Sequence, residues 1–197
     1  TNIVCRNIDT DDDTCVSLVA DELSVDCWDY QICFRKGKRY GQEFCRIDMD
    51  AVRDDDAAVE ENGVYIITGG LGGIGIETAR YLSSKKKVNL ILTGRTILPP
   101  EEEWGSIQDS PDKGLYDKIS EIERIRKTGS NVEYISADIS EKNDVEALLH
   151  MVKTKYGKIN GIVHSAGIAG DGFILNKDIE EFKRVLAPKV RGTWLLD

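Results

Sequence analysis

The sequence predicts an α/β protein whose main part is a parallel, doubly wound sheet, incomplete at its carboxyl end and preceded by a small β-rich piece. Three observations predict it. From residue 64 onward, short apolar runs alternate with amphipathic helical patterns at the pace of βαβ units. A glycine-rich string fills residues 68–75, between the first such run and the first such helix. Residues 1–61 lack that alternation and offer two strand-like segments around a basic turn.

Composition narrows the class. A chain of 197 residues with 41% hydrophobic and 31% charged residues has the balance of an ordinary globular protein. No run reaches the roughly 18 apolar residues of a membrane span. The formal charge of −9, with acidic clusters at 11–13, 54–56 and 101–103, repels a phosphate backbone, so no nucleic-acid partner is expected. The five cysteines (Cys5, Cys15, Cys27, Cys33, Cys45) are odd in number and lack CxxC spacing, which suits reduced structural thiols better than zinc or disulfides. The chain opens on Thr1 without a secretory leader pattern, so a piece of a longer cytoplasmic polypeptide is expected.

Taken in order, residues 28–35 and 39–47 read as two strands joined by Lys36-Gly37-Lys38, with Gly37 able to take positive φ. Tyr30, Ile32 and Phe34 alternate with polar neighbours, as in a half-buried hairpin. Residues 47–63 turn acidic and aperiodic, and the boundary between residues 1–61 and 62–197 is expected there. Residues 64–68 and 88–93 read as buried strands, with Gly75, Ala79 and Leu82 on one face of the helix between them. A second helix carries Leu115, Ile119, Ile122 and Ile125, and a strand at 132–137 follows. Ser140 is placed to cap a third helix with the stripe Val145, Leu148, Val152 and Tyr156, ahead of a strand at 161–164. Ile179, Phe182 and Leu186 give a last helix that Pro188 should kink or restart.

The glycine string carries the chemistry. Gly70, Gly72 and Gly75 fit GxGxxG, while Thr68-Gly69 with Gly73 and Gly75 fits TGxxxGxG; Leu71 and Ile74 complete the loop. Both patterns serve one need, a tight turn that lets backbone and helix N–H groups approach a diphosphate. A strand before it and a helix after it make this a Rossmann-like dinucleotide site. At the end of the second strand stand Thr93, Gly94, Arg95 and Thr96, where NAD-preferring folds place a carboxylate. A guanidinium there suits a 2′-phosphate, so NADPH is expected, and the missing carboxylate speaks against an S-adenosylmethionine methyltransferase. Asp138 and Ile139 end the third strand, and Ser165, Ala166 and Gly167 follow the fourth; both sets fall at the carboxyl edge, where ligands of this fold lie.

The strings TGGLGGIG, LTGRT, ADIS, HSAG and VLAPKVRGTW, in this order, resemble the ketoreductase domains of modular polyketide synthases, a branch of the short-chain dehydrogenase/reductase superfamily. The first 60 residues, with their CFRKGKRY segment, are similar to the end of the cofactor-free subdomain that precedes the catalytic half in that family. The resemblance implies NADPH-dependent reduction of a β-ketoacyl chain, carried by phosphopantetheine on an acyl carrier protein, within a chain of neighbouring synthase domains. It also implies a catalytic role for Lys189, beside a Ser and a Tyr that are expected beyond Asp197, so that the isolated fragment is expected to be inactive. Where many relatives carry Leu-Asp-Asp, this chain has Ala169, Gly170 and Asp171, which leaves the product configuration open.

Tyr81 and Lys85 have YxxxK spacing, but on the helix after the glycine loop, where they cannot reach a nicotinamide; His164 reads as a hydrogen-bonded core residue, not a general base. Two other readings remain. One is a free-standing reductase of the same superfamily, against which the 60-residue N-terminal piece counts, and the other is a non-catalytic ketoreductase-like scaffold.

Overall fold

The computed structural model describes residues 5–12, 16–27, 29–48, 59–109, 113–170 and 172–197. The chain divides into two compact units, Thr1–Asp54 and Asp55–Asp197.

The first unit holds β1 (Asn7–Asp9), α1 (Val16–Ser24), β2 (Gln31–Arg35) and β3 (Lys38–Gly41) in a sheet of order β1-β2-β3. β1 pairs parallel with β2, and β2 antiparallel with β3. Lys36 (φ 51°) and Gly37 (φ 71°) both turn left-handed and close a tight two-residue turn, so β3 starts at Lys38, while the hairpin is shorter than the 28–35 and 39–47 expected at its open end. Ile32 and Phe34 are buried on one face, whereas Tyr30 is exposed and precedes the strand. Neither β1 nor α1 was expected, since three residues and nine residues are too few for a clear period. Glu22 of α1 is buried and takes a hydrogen bond from Arg39 Nε (2.6 Å), while Arg6 Nη1 stands 3.8 Å away from it. These hydrogen bonds to Arg39 hold the Glu22 carboxyl below its ordinary range against the opposing effect of burial. The described cysteines Cys5, Cys27, Cys33 and Cys45 are free; Cys15 lies outside the described residues.

The second unit is built on β4 (Val64–Thr68), β5 (Asn89–Gly94), β6 (Asn131–Ser136) and β7 (Gly161–His164), all parallel, in the order β6-β5-β4-β7. α2 (Gly73–Lys85) links β4 to β5, α3 (Lys113–Arg126) links β5 to β6, and α4 (Lys142–Tyr156) links β6 to β7. Alternate strand residues face opposite ways. Tyr65, Ile67, Leu90 and Leu92 pack with Ala79 and Leu82 of α2 and Ile119, Ile122 and Ile125 of α3, while Val64, Ile66 and Ile91 pack with Leu148 and Val152 of α4. β4 therefore lies where the chain turns from one face and edge of the sheet to the other.

Three local expectations change. Ser140 does not cap α4: the capping position is Glu141, without a side-chain bond, and Ser140 N donates instead to Asp138 Oδ1 (2.9 Å). Pro188 does not start a new helix: α5 runs over Ile179–Leu196 with the proline inside it. Between β5 and α3 a 3₁₀ segment, Glu101–Asp109, buries Trp104, whose Nε1 donates to Pro99 O (2.9 Å) under the Arg126 guanidinium. Ile179, Phe182 and Leu186, expected as the apolar stripe of α5, are exposed together with Val190 and Trp194. Among the described residues no helix is long and apolar enough to cross a membrane.

Candidate active site

At the carboxyl edge of the second sheet, beside the end of β4, the main chain encloses a cleft of about 270 Å³. One side is Gly69 with Ala166 and Gly167; the other is Gly94 with Arg95, and Asp138 and Ile139 close the end. Six of the residues expected from sequence thus meet in one cavity.

The glycine loop is held by contacts that admit no side chain. Gly69 has φ +65°, and a β-carbon there would stand 2.9 Å from the Ala166 N and Cα. A β-carbon on Gly70 would strike Leu92 Cβ at 2.7 Å, and one on Gly75 would strike the Gly69 carbonyl oxygen. On Gly73 it would meet nothing within 4 Å. Gly70 N donates to Thr93 O (3.1 Å) and Gly72 N to Gly69 O (2.8 Å), which tie the loop to β5 and to itself. α2 then starts from Gly72 with no side-chain cap and no acidic residue in its first turn. Its leading N–H groups and the positive end of its dipole are thus open to an anion.

Of residues 68–75 only Gly69 lines the cleft; Gly70, Gly72, Gly73 and Gly75 do not. Leu71 packs into the core beside α2 and α3. Ile74 is 74% exposed on the outer face of α2, with Tyr81. Thr68 and Thr93 lie fully buried beneath the loop; the Thr93 hydroxyl has no hydrogen-bond partner among the described residues. The Thr96 carbonyl accepts from Tyr134 Oη (2.7 Å), which orients the chain just after Arg95. Arg95 is exposed along the cleft, and among the described residues its guanidinium has no carboxylate partner.

Asp138 is organised locally: its Oδ1 accepts from Ser140 N, and Asp144 Oδ2 accepts from Asp138 N (2.8 Å). The turn after β7 is pinned to β4, with Ser165 Oγ (2.6 Å) and Ser165 N (3.2 Å) both donating to Thr68 O. Lys189 of α5 lies against that turn, its Cε 3.1 Å from where a β-carbon on Gly167 would stand. Ser140, Glu141, Arg184 and Pro188 also line the cleft. Ser140 and Pro188 fall inside the strings ADIS and VLAPKVRGTW but were not expected at the site, and no sequence pattern marked Glu141 or Arg184. Tyr81 and Lys85 pair with each other on α2, 5.5 Å from ammonium to ring, and do not line the cleft. Asp171 lies outside the described residues; Gly170 abuts Val185 of α5. No group of three or more His, Cys, Asp or Glu among the described residues could hold a metal ion.

Residues 63–197 match the family model described as the KR domain. The chain belongs to the ketoreductase (KR) domain family. Polyketide synthase PksM of Bacillus subtilis is 32% identical to this ketoreductase chain over 166 residues, 84% of it and 3% of that protein. The 6-methylsalicylic acid synthase of Arthrobotrys oligospora is 38% identical over 135 residues, 68% of this chain and 7% of that protein. Among solved structures, a ketoreductase domain from the bacillaene assembly line superimposes with a TM-score of 0.71 at 30% identity, covering 98% of this chain and 43% of that one. The ketoreductase chain thus spans only 3% and 7% of the length of these two curated relatives. Levodione reductase, at 25% identity and a TM-score of 0.55, covers 69% of this chain and 46% of its own. Ketoreductase domains and these short-chain dehydrogenase/reductase neighbours are oxidoreductases, and the fold implies a nicotinamide cofactor. The bare glycine cradle and the uncapped α2 terminus fit the diphosphate of such a cofactor.

Proposed function

We propose that residues 62–197 are the NADPH-binding part of a cytoplasmic β-ketoacyl reductase domain, with residues 1–61 the end of its cofactor-free structural subdomain. The substrate is a β-ketoacyl chain held as a thioester on an acyl carrier protein, and the product is the β-hydroxyacyl thioester. One observation carries the choice of cofactor: Arg95 lines the cleft at the end of β5, where a carboxylate would be needed for a 2′-hydroxyl. The structural relatives support a synthase domain over a free-standing enzyme, because the ketoreductase domain matches 98% of this chain and levodione reductase only 69%.

When bound, the cofactor supplies a hydride to the substrate carbonyl. The N–H groups that open α2, with Gly72 and Gly73, hold the diphosphate, and Arg95 takes the 2′-phosphate through forked, charge-assisted hydrogen bonds. Asp138 accepts from the adenine amino group, and the small Ser165-Ala166-Gly167 turn lets the ribose approach the backbone. The Lys189 ammonium stabilises the charge that develops on the carbonyl oxygen and keeps a phenol poised to give up its proton. Among the described residues no tyrosine lines the cleft. We assign neither the proton donor nor its serine partner within residues 1–197, and propose that the isolated 197-residue piece does not turn over.

The test is reduction of a β-ketoacyl thioester by the parent polypeptide, followed by loss of NADPH fluorescence with NADH as comparison. Turnover with NADPH preferred is expected. A folded parent protein that neither binds nor oxidises NADPH would be the non-catalytic scaffold.

A further inference from the structure

His164 is tied to the end of β4 on one side and to α5 on the other. Strand pairing sets His164 of β7 beside Thr68 of β4, and Thr68 beside Thr93 of β5, on the sheet face that carries α4. Thr68 Oγ1 lies 2.6 Å from His164 Nδ1, and Ala166 N donates to the same hydroxyl oxygen at 3.2 Å. On the other side of the ring, Nε2 lies 2.9 Å from the Pro188 carbonyl oxygen.

These partners fix where the proton sits. A carbonyl oxygen only accepts, so Nε2 carries the hydrogen and donates to Pro188. Thr68 Oγ1 accepts the Ala166 N–H and donates its own O–H to Nδ1, which accepts it. The chain of donors runs from Ala166 through Thr68 to the imidazole, and the imidazole donates in turn to α5. A residue that merely filled space at the end of β7 would need neither bond.

The α5 end of this link is the residue before Lys189. Pro188 has no N–H and so cannot donate to the turn before it, which leaves α5 one rung short where Lys189 must be aimed. His164 supplies a tie to the sheet at that same place. We infer that His164 is a positioning residue: its Nε2–H bond to the Pro188 carbonyl holds Lys189 against the Ser165-Ala166-Gly167 turn, while its Nδ1 locks that turn to the glycine loop. This rests on the ketoreductase reading of Lys189 above.

The experiment uses the parent polypeptide and measures kcat, KM for a β-ketoacyl thioester, NADPH Kd and the thermal midpoint. A Gln amide nitrogen reaches roughly where Nε2 stands, whereas Asn reaches only the Nδ1 position. His164→Asn should therefore lower kcat by about tenfold, the scale of a displaced catalytic group, with KM and Kd within about twofold. His164→Gln should recover most of that loss. In a Lys189→Ala background His164→Asn should add no further loss, because the two changes act on one group. Should His164→Asn not fold, His164→Ala, which also removes the bond to Pro188, measured in both backgrounds carries the same comparison. Losses that multiply independently, or an unchanged kcat in folded His164→Asn, overturn the inference while leaving the ketoreductase reading intact. Wild-type protein without NADPH-dependent turnover overturns that reading, and the inference with it.

Discussion

Gly75 faces Gly69 so closely that a β-carbon on the former would stand 2.4 Å from the carbonyl oxygen of the latter and 2.8 Å from the α-carbon of Gly70. Both obstacles are backbone, so neither can swing aside. Gly75→Ala should destabilise the second unit by about 1–3 kcal/mol, the usual cost of overpacking, as read from urea unfolding of the parent polypeptide.

Gly73→Ala separates binding from stability. Nothing lies within 4 Å of the added methyl, and alanine is the better helix former, so the urea midpoint should hold or rise. The methyl would project where the diphosphate is proposed to sit. NADPH affinity should fall about tenfold or more in a fluorescence titration, and unchanged affinity would remove the diphosphate from this end of α2.

Arg95→Ala tests the proposed 2′-phosphate contact. A charge-assisted hydrogen bond to phosphate contributes about 1.5–3 kcal/mol, so NADPH Kd should rise by roughly ten- to a hundredfold while NADH Kd stays nearly constant. Equal losses for both cofactors would sink the assignment.

Trp104→Ala should cost about 3–5 kcal/mol, since the indole is buried in the core beneath α3 and satisfied by the Pro99 carbonyl. The thermal midpoint of the second unit reads this directly.

Acid should weaken the first unit through Glu22. Its carboxyl titrates below the ordinary range because of Arg39, so the stabilisation is complete above about pH 5 and is lost as the pH falls through the depressed value. Urea midpoints followed by amide protection over β2 and β3 should drop on acidification. In Glu22→Gln this acid-dependent part of the drop should vanish.

The second sheet was legible because its central strands β4 and β5 are buried on both faces and α2, α3 and α4 present regular stripes. β4 and β7 fall on the residues expected, and β5 and β6 are displaced by one residue. The cleft was legible where chemistry is local to a strand end, as at Arg95 and Asp138. It was not legible where distant segments meet. Ser140 has a capping residue's chemistry, yet α4 starts at Lys142, which puts Glu141 at the capping position; Arg184 and Pro188 enter the cleft from α5, whose backbone Pro188 carbonyl reaches His164 of β7. The first unit was read poorly for another reason. Its order depends on Arg6, which ties residues before α1 to carbonyls at Glu22, Val25 and Cys27, and no periodicity encodes such a tie.

Because β4 lies between β5 and β7, with connections leaving toward both faces, the opening beside Gly69 is a product of the route the backbone takes. Side chains decorate that opening without creating it. On the proposed reading of Arg95, a change of dinucleotide would then need a new charge after β5 and not a new architecture.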